Sequence, residues 1–246
     1  MIIGFCGSGS MAAAMARGWA GELEGMLFSD SGSGRAAELA QEVDGEAVGS
    51  NAELAARADV VVLAVKPAKL GEVAGELGEA KVVVSLLGAT PLERIAAAFP
   101  GAEAIRVMPN VGVEMRKGVL CVTGADSPEV RGLLKVLGRV VELSDSQFDA
   151  ATAVMGCSPA YLALAVEAIA EAGAEAGLDP QLARELVVET AAGTAELLRR
   201  SSPADVRRVV ASPGGSTEAG LEALDREGAR EAFEAAVRAS LERMRG

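Results

Sequence analysis

The chain contains no histidine. That absence excludes a histidine–aspartate dehydrogenase dyad, a Ser–His–Asp triad and a histidine zinc site. Any reaction must proceed without the usual general acid near neutral pH. Aromatic residues make up only 3% of the chain, although 50% is hydrophobic. The core must therefore be built from small aliphatic side chains, and abundant Ala and Gly favour closely packed helices. Cysteine is scarce: Cys6, Cys121 and Cys157 stand far apart, with neither a metal spacing nor a disulfide framework. Free thiols and a cytoplasmic location are expected. Basic residues number 23 against 35 acidic ones, a net charge of −12. A nucleic-acid phosphate track, which needs clustered Lys and Arg, is not expected. The first residues, MIIGFCGSGS, lack a basic region and are broken at once by glycine, so no signal peptide is expected. No apolar run is expected to approach the length of a membrane span.

What is present is an alternation of strands and helices. Met1–Cys6 reads as a buried strand, followed directly by Gly7-Ser8-Gly9-Ser10-Met11-Ala12 and a helix over Met11–Ala20. This is the strand–GxGxxA–helix order of a dinucleotide site. Gly7 permits the tight turn, Gly9 lets a pyrophosphate approach the backbone, and Ala12 keeps the helix close to the strand. Met26–Asp30, Asp59–Val65, Lys81–Leu86 and Ala104–Val107 read as further strands, and Val119–Thr123 and Val140–Leu143 could complete the sheet. Helices are expected over Gly34–Val43, near Lys69–Leu77 and over Pro91–Phe99. Continuous Val/Leu runs suit strands covered on both faces of a parallel sheet.

The end of the second strand should choose the cofactor. Asp30 lies roughly twenty residues after Gly9, where a carboxylate binds the ribose of NAD(H). Ser29, Ser31, Ser33 and Arg35 surround it and could instead receive the 2′-phosphate of NADP(H). The residues leave both cofactors open.

After Ser144 no convincing strand remains. Helices are expected over Tyr161–Ala176, Gln181–Arg200, Pro203–Val210, Thr217–Leu224 and Ala229–Arg245. The expected division is an α/β dinucleotide-binding domain over residues 1–145 and an all-helical domain over 146–246. A helical domain so poor in aromatics has a modest core, and faces such as Leu162, Ala165, Val166 and Ile169 are expected to pack on a second subunit. Between two of its helices lies Ser212-Pro213-Gly214-Gly215-Ser216-Thr217. Pro213 halts the preceding helix, two glycines allow a bare turn, and Ser216 and Thr217 suit the start of a helix. Such a turn aims N–H groups and hydroxyls at one point, which suits a small carboxylate.

These segments together resemble pyrroline-5-carboxylate reductase. The resemblance is carried by GSGSMA, Ala64-Val65-Lys66-Pro67, Arg106-Val107-Met108-Pro109-Asn110, Gly156-Cys157-Ser158-Pro159-Ala160-Tyr161 and SPGGST, in that order over nearly the whole chain. It implies a Rossmann domain followed by a helical dimerisation domain. It also implies reduction of (S)-1-pyrroline-5-carboxylate to L-proline, the last step of proline biosynthesis, with NADP(H) or alternatively NAD(H). The partners implied are a small-molecule substrate and a second copy of the chain, with no metal, nucleic acid or membrane.

The dinucleotide motif and the end of the second strand make Gly7, Ser8, Gly9, Ser10, Met11, Ser29, Asp30 and Arg35 the expected cofactor contacts, and the resemblance adds Asn51, Ala64, Val65, Lys66, Pro67, Met108, Pro109 and Asn110. It implies that Gly214, Gly215, Ser216 and Thr217 hold the substrate carboxylate, and that the Thr217 hydroxyl meets the ring nitrogen as the catalytic contact. The family pattern is broken in three places, the mildest being Ser216 where Thr is usual, which keeps the final Thr217. Cys157-Ser158 stands where Ser-Gly is usual, and Val111-Gly112 replaces Thr-Pro, which is expected to loosen the loop after Asn110. Two other readings stay open. One is a related imine, hydroxyacid or deazaflavin-linked reductase; the hydroxyacid enzymes commonly carry a lysine on the first long helix of the helical domain, and Tyr161–Ala176 has none. The other is a non-catalytic dinucleotide-binding module, which the intact SPGGST turn disfavours.

Overall fold

A computed structural model of the chain describes residues 1–245. It divides into two compact units, one of residues 1–156 with residues 241–245, the other of residues 157–240.

The first unit begins with β1 (Ile2–Cys6), α1 (Ser10–Trp19), β2 (Gly25–Ser29), α2 (Arg35–Glu42), β3 (Glu46–Ala47), α3 (Asn51–Arg57) and β4 (Val60–Leu63). It continues through α4 (Leu70–Glu76), β5 (Val82–Ser85), α5 (Leu92–Ala98), β6 (Glu103–Pro109), β7 (Gly118–Gly124), α6 (Pro128–Leu137), β8 (Gly138–Glu142) and the single turn α7 (Phe148–Ala151). The eight strands form one sheet in the order β3-β2-β1-β4-β5-β6-β7-β8. The first six run parallel. Their order reverses between β1 and β4, which opens a crevice at the carboxyl ends of those strands.

The last two strands depart from the parallel expectation. β7 is antiparallel to β6, with Met108 opposite Cys121, and β8 is parallel to β7. Only residues 110–117 join β6 to β7. A parallel return needs a crossover of a dozen residues or more, so the chain doubles back as a hairpin.

Successive strand residues point to opposite faces and fill two cores. Ile3, Phe5, Val60, Val62 and Val84 lie on one face with α1, α2 and α6; Val61, Leu63 and Val83 lie on the other with α3, α4 and α5. The few aromatics are concentrated here. Phe5 stacks on Phe28 at 5.2 Å and tilts against Trp19 at 6.0 Å, and the Trp19 indole N–H donates to the Leu133 carbonyl at 2.9 Å.

Helix α3 and strand β3 are absent from the sequence-based expectation. Strand β3 has two exposed residues and no hydrophobic pattern. Helix α3, by contrast, carries a readable signal: Ser50 accepts the Glu53 N–H at 3.1 Å, as Ser-x-x-Glu implies.

The second unit contains α8 (Ser158–Glu175), α9 (Pro180–Leu198), α10 (Pro203–Val210), α11 (Ser216–Arg226) and most of α12 (Ala229–Arg245). Asp179 before Pro180 and Ser202 before Pro203 cap the starts of α9 and α10, as Ser127 before Pro128 caps α6. Helices α8 and α9 pack together, and the Tyr161 hydroxyl ties α8 to Ser240 of α12 at 2.5 Å. Little else is buried. Ala170 and Ala183 are the buried side chains of the described residues 157–240, whereas Leu162, Leu164, Ile169, Leu186, Val209 and Phe233 are at least half exposed.

One expectation is corrected by this half of the chain. The helical stretch Asp145–Glu175 is long and apolar enough to cross a membrane by length and composition, with an 18-residue window of mean hydropathy 1.6. Few charges interrupt the run, because its faces are small and aliphatic.

Gly18 tests the packing of α1. A Cβ there would lie 2.3 Å from the Val113 carbonyl oxygen and 2.6 Å from Leu137. Alanine gains about 1 kcal/mol in helix propensity over glycine, but overpacking against fixed backbone costs about 1–3 kcal/mol. Gly18→Ala is expected to lower the melting temperature by about 2–4 °C per net kcal/mol. An unchanged or higher value in a thermal melt would show that the Val113 loop gives way.

Candidate active site

The carboxyl edge of the sheet collects the expected nucleotide residues. Gly7–Met11 follow β1, Ser29–Arg35 straddle the end of β2, Ala64–Pro67 follow β4, and Met108–Asn110 end β6. Asn51 opens α3. The turn after β1 has to be bare. Gly7 has φ +97°, and a Cβ on it would meet the Ala64 carbonyl oxygen at 2.7 Å. Its N–H donates to the Ser29 carbonyl at 3.0 Å, so the ends of β1, β2 and β4 are drawn together at this residue.

Gly9 does the opposite job. A Cβ on it would touch nothing within 4 Å, and as the N-cap of α1 it brings no side-chain cap. The first N–H groups of α1 thus face open space at the positive end of a helix, which is what a pyrophosphate requires. Ala12 is fully buried against the core. The residues present fit a dinucleotide.

Around this turn, Ser8 is buried with its hydroxyl 3.4 Å from the Ser29 carbonyl. The Ser29 hydroxyl donates to Asn51 Oδ1 at 2.5 Å, and Asn51 Nδ2 donates to Glu76 at 2.5 Å. Burial pushes the Cys6 thiol up to about 11. It is therefore a neutral packing group behind the turn and no nucleophile. At the end of β2 the Asp30 carboxylate accepts from Gly32 and Ser33 of its own loop and from Ala36 in the first turn of α2. Val65 is half-buried and Lys66 and Pro67 are exposed.

Asn110 is engaged on both sides of its amide. Oδ1 accepts the Val119 N–H at 3.1 Å and Nδ2 donates to the Met155 carbonyl at 3.2 Å. Met155 lies in a π-helical turn, Thr152–Gly156. Asn110 thus fixes the β6 end to that turn. The expected loosening after Asn110 is not found. Residues Val111–Met115 form a 3-10 turn, Val113 is fully buried, and Arg116 clamps the segment through Gly18, Ala20 and Glu22. Gly112 suits the tight turn, since a Cβ would lie 3.1 Å from the Lys117 carbonyl oxygen.

Sequence reasoning missed the structural role of Arg106. It is 3% exposed, lies 4.4 Å over the Phe148 ring and donates to Asp145 at 2.8 Å. Its Nε has no partner among the described residues. Asp145 also accepts the Leu92 N–H at 3.2 Å. A buried guanidinium must be paired, so this group fastens β6 to α7. An Arg inside a buried strand run was the available signal.

The SPGGST turn lies in the second unit. Gly215 N–H donates to the Ser212 carbonyl at 2.9 Å, and Gly214 has φ +73°. Pro then Gly at the two central positions suits a type II turn. A Cβ on Gly215 would lie 2.8 Å from the Ser212 hydroxyl. Ser216 begins α11, with no side-chain cap from Gly215. The Gly214 N–H meets the Glu218 carboxylate at 2.7 Å. Both glycine N–H groups are thus engaged within the turn, and Thr217 is half-buried in the first turn of α11.

A doubly wound sheet, a bare β1 turn at its switch point and an open helix N-terminus define an NAD(P)-dependent oxidoreductase. Residues 2–88 match the family model described as NADP oxidoreductase, coenzyme F420-dependent, and residues 145–246 match that for pyrroline-5-carboxylate reductase dimerisation. The chain is 35% identical over 204 residues to the pyrroline-5-carboxylate reductase of Synechocystis sp., covering 78% of this chain and 76% of that one. It belongs to the pyrroline-5-carboxylate reductase family. Among solved structures, the Streptococcus pyogenes 1-pyrroline-5-carboxylate reductase superposes with a TM-score of 0.91 at 31% identity, covering 99% and 98% of the two chains. The Plasmodium falciparum pyrroline carboxylate reductase, solved with NADP bound, gives 0.89 at 26% identity, covering 99% and 97%. The deazaflavin-linked alternative matches only the nucleotide half, and the helical half decides against it.

Proposed function

We propose that this chain reduces (S)-1-pyrroline-5-carboxylate to L-proline with NADP(H), as a homodimer in the cytoplasm. The observation that carries the reading is the coexistence in one chain of the open β1 turn and the bare SPGGST turn at the start of α11. NADPH, when bound, supplies the hydride. Gly9 and the first N–H groups of α1 would hold its pyrophosphate, with Gly7 shaping the turn because its own N–H is bonded to Ser29; Ala64–Pro67 and Met108–Pro109 border it, with Asn110 keeping the β6 end in place.

The substrate carboxylate is held by the N–H groups and hydroxyls of Ser216 and Thr217. Gly214 and Gly215 shape the turn, because their own N–H groups are already bonded. The Thr217 hydroxyl orients the ring nitrogen. A cyclic imine is basic enough to take its proton from water. Its C=N⁺ carbon is then electrophilic and accepts hydride, while the nitrogen keeps the proton and becomes the secondary amine of proline. No strong protein acid is needed, in agreement with a chain that lacks histidine. Rate comes from positioning and electrostatics.

The test is oxidation of NADPH by the purified chain when pyrroline-5-carboxylate is added, with proline accumulating. No turnover by folded protein with either NADPH or NADH at neutral pH would refute the assignment.

Thr217→Ala removes one hydrogen bond to a charged group, worth roughly 1.5–3 kcal/mol. That corresponds to a loss of about ten- to two-hundred-fold in kcat/KM. Thr217→Ser keeps the hydroxyl and most of the activity. If Thr217 only supports the start of α11, the alanine variant melts lower while kcat/KM stays near wild type.

Self-association follows from the helical half. A unit that buries two alanines and leaves Val209 83% and Leu162 64% exposed has no adequate core of its own. We assign the apolar run of α8 to the subunit interface, in keeping with the dimerisation model matched by residues 145–246. Light scattering should give at least twice the mass of one chain. A fully active monomer would show that these faces are not an interface. Free thiols at Cys6, Cys121 and Cys157 suit the reducing cytoplasm.

A further inference from the structure

Asp30 occupies the position that a ribose-binding carboxylate takes in NAD-dependent enzymes. A carboxylate offers about four lone-pair sites, two on each oxygen. In Asp30 all of them are taken by its own loop and the first turn of α2. Oδ1 accepts the Gly32 N–H at 2.7 Å and the Ser33 N–H at 3.1 Å. Oδ2 accepts the Ser33 hydroxyl at 2.8 Å and the Ala36 N–H at 2.9 Å. The Ala36 N–H foremost, with Ser33 and Gly32, holds this carboxyl below the usual aspartate range. A ribose diol would need two of these sites and could gain them only by dismantling the loop.

The same four bonds decide what the loop presents. Gly32 and Gly34 have φ +89° and +83°, and a Cβ on either would meet nothing within 4 Å. Ser31, Ser33 and Arg35 are exposed. Arg35 Nε donates to the Ser33 hydroxyl at 3.3 Å, and that hydroxyl donates onward to Asp30. The guanidinium is thereby linked to the carboxylate through one serine, with its terminal N–H groups left for an anion. Such a fork suits a phosphate far better than a neutral diol.

We infer that Asp30 is a positioning residue for the 2′-phosphate of NADP(H): it folds Ser31–Arg35 into the phosphate-binding loop and does not bind the ribose hydroxyls. This rests on the nucleotide reading of the sheet edge. It reverses the usual expectation for an acid at this position. A ribose ligand, or a mere source of repulsion toward the phosphate, would favour NADP⁺ once removed. A loop anchor disfavours it.

The test is direct titration of NADP⁺ and of NAD⁺ into the full-length protein by calorimetry, without imine. Asp30→Ala is expected to weaken NADP⁺ by about tenfold, the scale of losing bonds to a charged acceptor, and NAD⁺ by less than about twofold. Asp30→Asn keeps an acceptor for Gly32 and Ser33 and should fall between. Ser33→Ala leaves the carboxylate intact but cuts its link to Arg35, and should also weaken NADP⁺ more than NAD⁺. It keeps the question decidable should the Asp30 variants fail to fold. Tighter NADP⁺ binding by Asp30→Ala, equal loss for both nucleotides, or no change in either overturns the assignment. Wild-type protein that binds neither nucleotide overturns the nucleotide reading as well.

Discussion

Close backbone approach at the end of β1 is the constraint on which the first unit depends. Gly7 brings the chain so near the Ala64 carbonyl that no side chain fits, while its N–H ties β1 to the end of β2. Three strands are thereby closed around one turn, and α1 must leave from that turn with its uncapped end outward. The helix in turn relies on Gly18 to pass the Val113 carbonyl. At these two contacts close packing is achieved by omitting a side chain, beside a core that the few aromatics fill.

The helical unit follows a different logic. Its helices are well specified locally, with Asp179 and Ser202 capping helices that begin with proline. Local specification does not bury anything, however. Two alanines are buried among its described residues while most of its leucines and valines face outward, so its hydrophobic driving force lies in association. The same composition explains why the stretch from Asp145 satisfies the length and hydropathy of a membrane span. An apolar face awaiting a second subunit and one awaiting lipid have the same residues.

Polar side chains at the sheet edge mostly hold backbone in place. Asn110 bridges the β6 end to the π-helical turn, Asp30 is saturated by its own loop and the first turn of α2, and Arg106 is clamped between Asp145 and Phe148. Each is a residue whose type suggests contact with a ligand or with solvent. The groups left open to ligands are largely backbone N–H groups and hydroxyls. That suits a reaction in which the imine is already protonated and the protein has to orient it.

The sequence by itself determined the strand–turn–helix start, the buried valine strands, the proline-led helices and the glycine turn at Gly214-Gly215. These are local signals: a bare turn, a repeat of hydrophobicity or a cap is written in a few adjacent residues. Family membership was also legible, since RVMPN and SPGGST stand in order along the chain. Tertiary structure alone decided the antiparallel return of β7, the pairing of the two-residue β3, the role of Arg106 and the orientation of the Asp30 carboxylate. Each of those depends on partners brought together by folding: a loop too short for a crossover, a sheet edge that recruits exposed residues, a buried charge that must find Asp145, and four donors that converge on one carboxylate. Residue type fixes what a side chain is able to bond, and only the folded chain fixes which of those bonds are already taken.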